Sequence, residues 1–172
     1  EVTAIPAYGT RIFGFKKAAE TNQVEVSLID SNADLTDANG YRITIQPDES
    51  IKLVASGVSN LFVTSSGYVE NGTFYLIKHV FDETDDSHTV YIKGGDWVDW
   101  TLMEVVSGTN PVIDSTYTTT KFINIDNDAS DEVSHFTKDG IKYRIDMLTN
   151  GTGEYKTRRA IGVGNGLDTD GN

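Results

Sequence analysis

The residues with most chemical potential in this 172-residue chain are its carboxylates, and they come in runs. Asp82-Glu83-Thr84-Asp85-Asp86 lies between two strand-like stretches, and Asp126-Asn127-Asp128-Ala129-Ser130-Asp131-Glu132 lies between two others. Hard cations such as calcium take about six to eight oxygen ligands, and alternate acidic positions on a tight loop supply several. The second run is therefore the candidate calcium site, through Asp126, Asp128, Asp131 and Glu132. The competing reading is that these side chains simply populate solvated turns.

A second constellation is aromatic. Asp96 and Asp99 flank Trp97 and Trp100. Rings stack on pyranose faces while carboxylates hold hydroxyls, so this grouping suits sugar binding. The candidate ligand-binding residues are Trp97 and Trp100, with Tyr68, Tyr75 and Tyr91 as further rings. In a strand, residues three apart point to opposite faces, so at most one of the tryptophans lies on the surface and the other belongs to the core. A glycosidase would need two carboxylates facing across a cleft, for which Asp96 and Asp99 are the least arbitrary pair.

Other chemistries are absent. The chain has no cysteine, which excludes disulfides, thiolate metal sites and cysteine nucleophiles. The three histidines, His79, His88 and His135, are too scattered for metal-helix spacing. No H-E-x-x-H, G-x-S-x-G, phosphate-loop or dinucleotide fingerprint occurs. The expectation is a non-enzymatic protein, with calcium the one cofactor its residues suit. Net charge is −12, which repels a phosphate backbone unless basic residues are segregated. The basic clusters, Arg11/Lys16/Lys17 and Lys156/Arg158/Arg159, are short and lack interleaved aromatics, so nucleic acid is not an expected partner. No apolar run approaches the roughly 20 residues of a membrane helix. Asn71-Gly72-Thr73 and Asn150-Gly151-Thr152 match the glycosylation sequon, and both coincide with turn-forming Asn-Gly pairs. The chain opens on Glu1 rather than Met, which fits a processed start.

Strands must position these groups. Val, Ile, Thr, Tyr and Phe are abundant, and they suit half-buried pleated surfaces. Gln23–Leu28 and Tyr41–Gln46 alternate apolar and polar. Ile51–Ala55, Leu61–Thr64, Gly72–Val80, Thr89–Lys93, Thr118–Ile125, Val133–Thr137, Ile141–Met147 and Glu154–Val163 complete a set of about ten strands. Asn39-Gly40, Asn71-Gly72, Asp139-Gly140 and Asn150-Gly151 supply turn residues, with Asp139-Gly140 the clearest hairpin. Trp97–Val106 reads as a bulged strand, and Phe15–Thr21 as room for one helical turn. The expected fold is all-β, an antiparallel sandwich of jelly-roll or immunoglobulin-like kind over residues 1–163. A Gly/Asp/Asn-rich flexible tail over 164–172 is expected to follow it.

Tyr41–Gln46, the Pro47-Asp48-Glu49-Ser50 turn, Ile51–Ala55 and Ser59-Asn60-Leu61-Phe62-Val63 carry a resemblance. Residues 23–80 resemble β-rich bacteriophage virion-surface proteins of the capsid-decoration or fibre-attachment kind. The resemblance implies a structural module at an extracellular or virion surface whose partners are other subunits of the same assembly. The alternative is a carbohydrate-binding module or adhesin that takes a glycan on its exposed aromatics. Asp168-Thr169-Asp170-Gly171-Asn172 resembles the opening half of the calcium loops of thrombospondin-type repeats, without the closing acidic ligand.

Overall fold

The computed structural model describes residues 5–29, 40–57, 59–120, 122–127, 131–143 and 159–162. Among them no helix occurs, and the 15–21 stretch is the end of a strand and an irregular turn. In chain order the strands are β1 (Ile5–Pro6), β2 (Gly9–Lys16), β3 (Val24–Ile29), β4 (Gly40–Ile45), β5 (Ile51–Ala55) and β6 (Ser59–Val63). Then come β7 (Phe74–Asp82), β8 (Ser87–Gly94), β9 (Trp97–Leu102), β10 (Ser107–Gly108) and β11 (Val112–Ile113). The last are β12 (Thr119–Thr120), β13 (Phe122–Asn127), β14 (Glu132–Lys138), β15 (Ile141–Tyr143) and β16 (Arg159–Gly162).

Fourteen of them form two antiparallel sheets, and β1 pairs with β12 in a separate two-stranded ladder. One runs β10-β6-β5-β4-β3-β13-β16, and the other runs β11-β8-β7-β2-β14-β15, with β9 also on β8. The expected all-β sandwich is the observed architecture. Alternation explains it: Val24, Val26 and Leu28 of β3 and Tyr41, Ile43 and Ile45 of β4 turn inward from the first sheet. Phe13 and Phe15 of β2, Tyr75, Ile77 and Phe81 of β7, and Val90 and Ile92 of β8 meet them from the second. Hairpin turns fall where local chemistry demands them. Asp139 and Gly140 adopt φ of 50° and 80° between β14 and β15, as an Asp-Gly turn should. The predicted turn at 47–50 joins β4 to β5.

Strand β2 is the main departure from the sequence reading. It is central, lying between β7 and β14, yet was not among the expected strands. Its inward positions are Arg11, Phe13 and Phe15, and the arginine breaks the apolar alternation. The fold disperses the basic cluster Arg11/Lys16/Lys17: Arg11 is 2% exposed and Lys17 1%, leaving only Lys16 of the three at the surface. Lys17 Nζ donates to Glu49 Oε1 at 2.8 Å and to the Pro47 carbonyl at 2.9 Å, tying the end of β2 to the β4–β5 turn of the opposite sheet.

A polar chain crosses the core. Arg11 Nη1 lies 3.3 Å from His79 Nδ1, His79 Nε2 lies 2.9 Å from His88 Nδ1, and His88 Nε2 lies 2.9 Å from the Asp114 carbonyl. The ends set the tautomers. A carbonyl only accepts, so His88 carries its proton on Nε2; its bare Nδ1 then accepts from His79 Nε2–H. The bare Nδ1 of His79 in turn accepts from the guanidinium. Both rings are thus neutral, and burial holds both pKa values below the ordinary imidazole value, that of His88 at about 4.

Candidate functional site

The β8–β9 hairpin places the tryptophans. Gly94 pairs with Trp97, and Gly95 at the turn adopts φ 55°. A side chain at Gly95 would put its Cβ 2.7 Å from Tyr75 Cε1, so glycine is what allows the turn to lie against that ring. The ladder slips between Ile92 and Gly94, which bears out a bulge at this strand, though it ends at Leu102 rather than Val106.

The two tryptophans do point to opposite faces. Trp97 packs against the core, stacked on Tyr68 with ring centroids 5.0 Å apart and tilted against Tyr75 at 6.0 Å. Trp100 lies with Lys78 and Tyr91 on the outer face of the sheet. Lys78 Nζ sits 4.1 Å from the Tyr91 ring centroid and 5.0 Å from that of Trp100. The sequence candidates therefore divide into two groups, Tyr68 and Trp97 with Tyr75 on one side, Tyr91 and Trp100 on the other.

The first group lines a hollow of about 260 Å³ that also holds Ser65, Glu70 and Asp96. Both phenols there are fixed from the backbone. Tyr75 Oη accepts from the Glu70 N–H at 2.9 Å, and Tyr68 Oη accepts from the Glu104 N–H at 3.1 Å. Burial raises the Tyr68 phenol, so it stays protonated across the physiological range. Rings at the wall and two exposed carboxylates at the rim make a concave site able to stack a flat apolar face and accept hydroxyl hydrogen bonds. Asp99 is not in its lining, so the Asp96/Asp99 pair does not face one cleft there. Glu70 was not among the sequence candidates; only its distance of two residues from Tyr68 could have drawn attention to it.

The calcium candidates meet a different fate. Asp131 is buried, and its Oδ1 accepts from the Ala18 N–H at 2.6 Å and from Asn22 Nδ2 at 3.0 Å. Glu132 pairs with Lys16 at 3.1 Å. Both carboxylates thus bind the strand and turn of residues 16–22. Asp128 and the side chain of Asp126 lie outside the described residues. In the other acidic run, Asp82 accepts from the Thr84 N–H and Asp85 from the Ser87 N–H, so these two close the β7–β8 turn. Among the described residues no group of three or more potential ligands converges on a metal position.

One surface was not anticipated. Residues 97–113 cross the rim of the sandwich from β9 on the second sheet to β10 on the first and back to β11. Asn110 fastens the crossing: its Oδ1 accepts from the Val90 N–H at 3.0 Å, and its Nδ2 donates to the Val90 carbonyl at 2.8 Å. The β8 edge is thereby occupied by β9, Asn110 and β11 in succession. Of the five large apolar residues exposed among those described, Val98, Leu102, Val106 and Ile113 fall on this crossing. Among the described residues β9 and β11 pair only with β8, and β10 only with β6.

No protein-family model matches the chain, and no curated protein matches it. Among solved structures, the chain is similar to the catalytic domain of the glycoside hydrolase family 131 protein from Coprinopsis cinerea, at 13% identity and a TM-score of 0.36. The match covers 87% of this chain and 62% of that one, so the chain spans less than two thirds of its length.

Proposed function

We propose that this chain is a non-enzymatic interaction module that docks onto neighbouring copies of itself in an extracellular assembly. A virion surface is the setting that residues 23–80 favour. The observation that carries this reading is the crossing at 97–113, with Val98, Leu102, Val106 and Ile113 exposed at 81, 41, 71 and 74% along one rim. Exposed apolar residues set along a sheet edge suit an interaction surface, and terminal strands offer unpaired backbone groups that extend a sheet into a neighbour. Light scattering at near-physiological salt, with and without calcium, tests it. A defined oligomer is expected; a monomer at every concentration examined would sink the proposal.

A second reading rests on a separate observation, the hollow in which Tyr68 and Trp97 stand beside Glu70 and Asp96. It fits a glycan held without chemistry, a ring face against the aromatics and hydroxyls on the carboxylates. Titration of a polysaccharide panel against tryptophan fluorescence tests it, and silence across the panel removes it.

A further inference from the structure

The Arg11 guanidinium is a buried cation with three of its five N–H donors unaccounted for among the described residues. It is 2% exposed, and while Nη1 meets His79, neither Nε nor Nη2 has a hydrogen-bond partner among the described residues. These two nitrogens form one edge of the guanidinium, with parallel N–H bonds, the edge that grips an anion in bidentate fashion. Arg11 lines a cavity between the sheets whose other walls include Phe13 and Phe136 on one side and Leu28, Ile43 and Leu53 on the other. It leaves about 10 Å³ for the centre of a water-sized sphere, room for a single small occupant. Arg42, also at its wall, is already 3.6 Å from Glu25.

Among the described residues the charges around Arg11 do not balance. Lys138, the β14 neighbour of Arg11 in register, is also buried and holds Asp139 at 2.5 Å. Asp139 further accepts from the Thr10 N–H at 2.7 Å. Two cations thus share one carboxylate. Burial lowers the Arg11 pKa to about 9, with Asp139 pulling the other way, so it remains charged at neutral pH. An uncompensated buried charge is strongly destabilising, and a paired one much less so.

We propose that the cavity is a binding site for one small monovalent anion of halide size, held by the Nε–Nη2 edge of Arg11. Most of the remaining wall is apolar, so a larger oxyanion finds few donors for its outer oxygens, and the volume excludes a carboxylate with a carbon chain. A halide needs only the two donors and the positive charge.

The test compares the full chain in sodium bromide and in sodium gluconate at equal ionic strength. Gluconate is too large to enter. Bromide is expected to raise Tm by a few degrees in a saturable manner, as a ligand bound only by the folded state does. Crystals grown in bromide should show an anomalous peak beside Arg11 Nε and Nη2. The Arg11→Met variant should lose the bromide-dependent rise. If that variant does not fold, the anomalous map and the wild-type titration decide. Equal Tm in the two salts, or no peak at Arg11, would overturn the proposal; a peak without a Tm difference would mean an adventitious ion only, and would overturn it too.

Discussion

His79 and His88 face each other across β7 and β8, with Nε2 of the first 2.9 Å from Nδ1 of the second and both rings buried. Their mutual bond needs both rings neutral, because a proton added to His79 Nδ1 would point at the Arg11 guanidinium.

This relationship sets a pH dependence. In the unfolded chain both histidines take up protons below about pH 6.5. In the folded chain His88 resists protonation until about pH 4, and His79 is likewise held well below its ordinary value. The unfolded state then binds more protons between those limits, so stability is full above pH 6.5 and falls as pH drops toward 4. We expect a loss on the order of 2–3 kcal/mol for His88 alone across that window. Urea unfolding between pH 8 and 4.5 measures it, and His88→Gln should flatten the slope. Asp48 is held below its ordinary value mainly by the Ser50 hydroxyl, and Glu49 mainly by Lys17.

The Lys17–Glu49 pair gives a second prediction. Glu49→Ala leaves a lysine that is 1% exposed with carbonyl partners alone. It should lower unfolding free energy by roughly 1.5–3 kcal/mol, the range for a hydrogen bond to a charged group. Lys93→Ala, on the outer face of β8, should stay within about 0.5 kcal/mol. Denaturant midpoints compare the two, and equal effects would show that Glu49 anchors nothing.

Gly95→Ala should strain the β8–β9 turn and push the Tyr75 ring, whose Cε1 lies 2.7 Å from the added Cβ position. A loss of about 1–3 kcal/mol is expected from the positive φ and the contact. Near-ultraviolet circular dichroism should report the displaced Tyr68–Trp97 stack. A spectrum identical to that of the parent would contradict this account of the hollow.

Val98→Glu with Ile113→Glu should abolish self-association while changing monomer stability by less than about 0.5 kcal/mol per site, because both side chains are largely exposed. Sedimentation at matched concentrations reads the first effect and thermal unfolding the second. Association that survives both changes would place the contact elsewhere.

In the hollow, Glu70→Gln with Asp96→Asn should weaken any glycan that binds by tenfold or more, since each removes a charged acceptor worth on the order of 1.5–3 kcal/mol. Trp100→Ala, on the other face, should leave that affinity unchanged. Equal losses from both changes would break the assignment of the site to the hollow.

What the sequence determined by itself was local. Period-two alternation identified β3 and β4, the Asp139-Gly140 turn announced its hairpin, and three-residue spacing separated Trp97 from Trp100. Each rests on backbone geometry within a few residues. The tertiary structure decided the polar interior. The burial of Arg11, Lys17 and Asp131 was not legible because their partners lie far away in the chain: His79 is 68 residues from Arg11, Glu49 is 32 from Lys17, and Ala18 is 113 from Asp131. The same separation hid β2, whose inward arginine looks like a broken strand until β7 supplies a histidine opposite it. Charge placement depends on which strands meet, and only packing of the two sheets settles that.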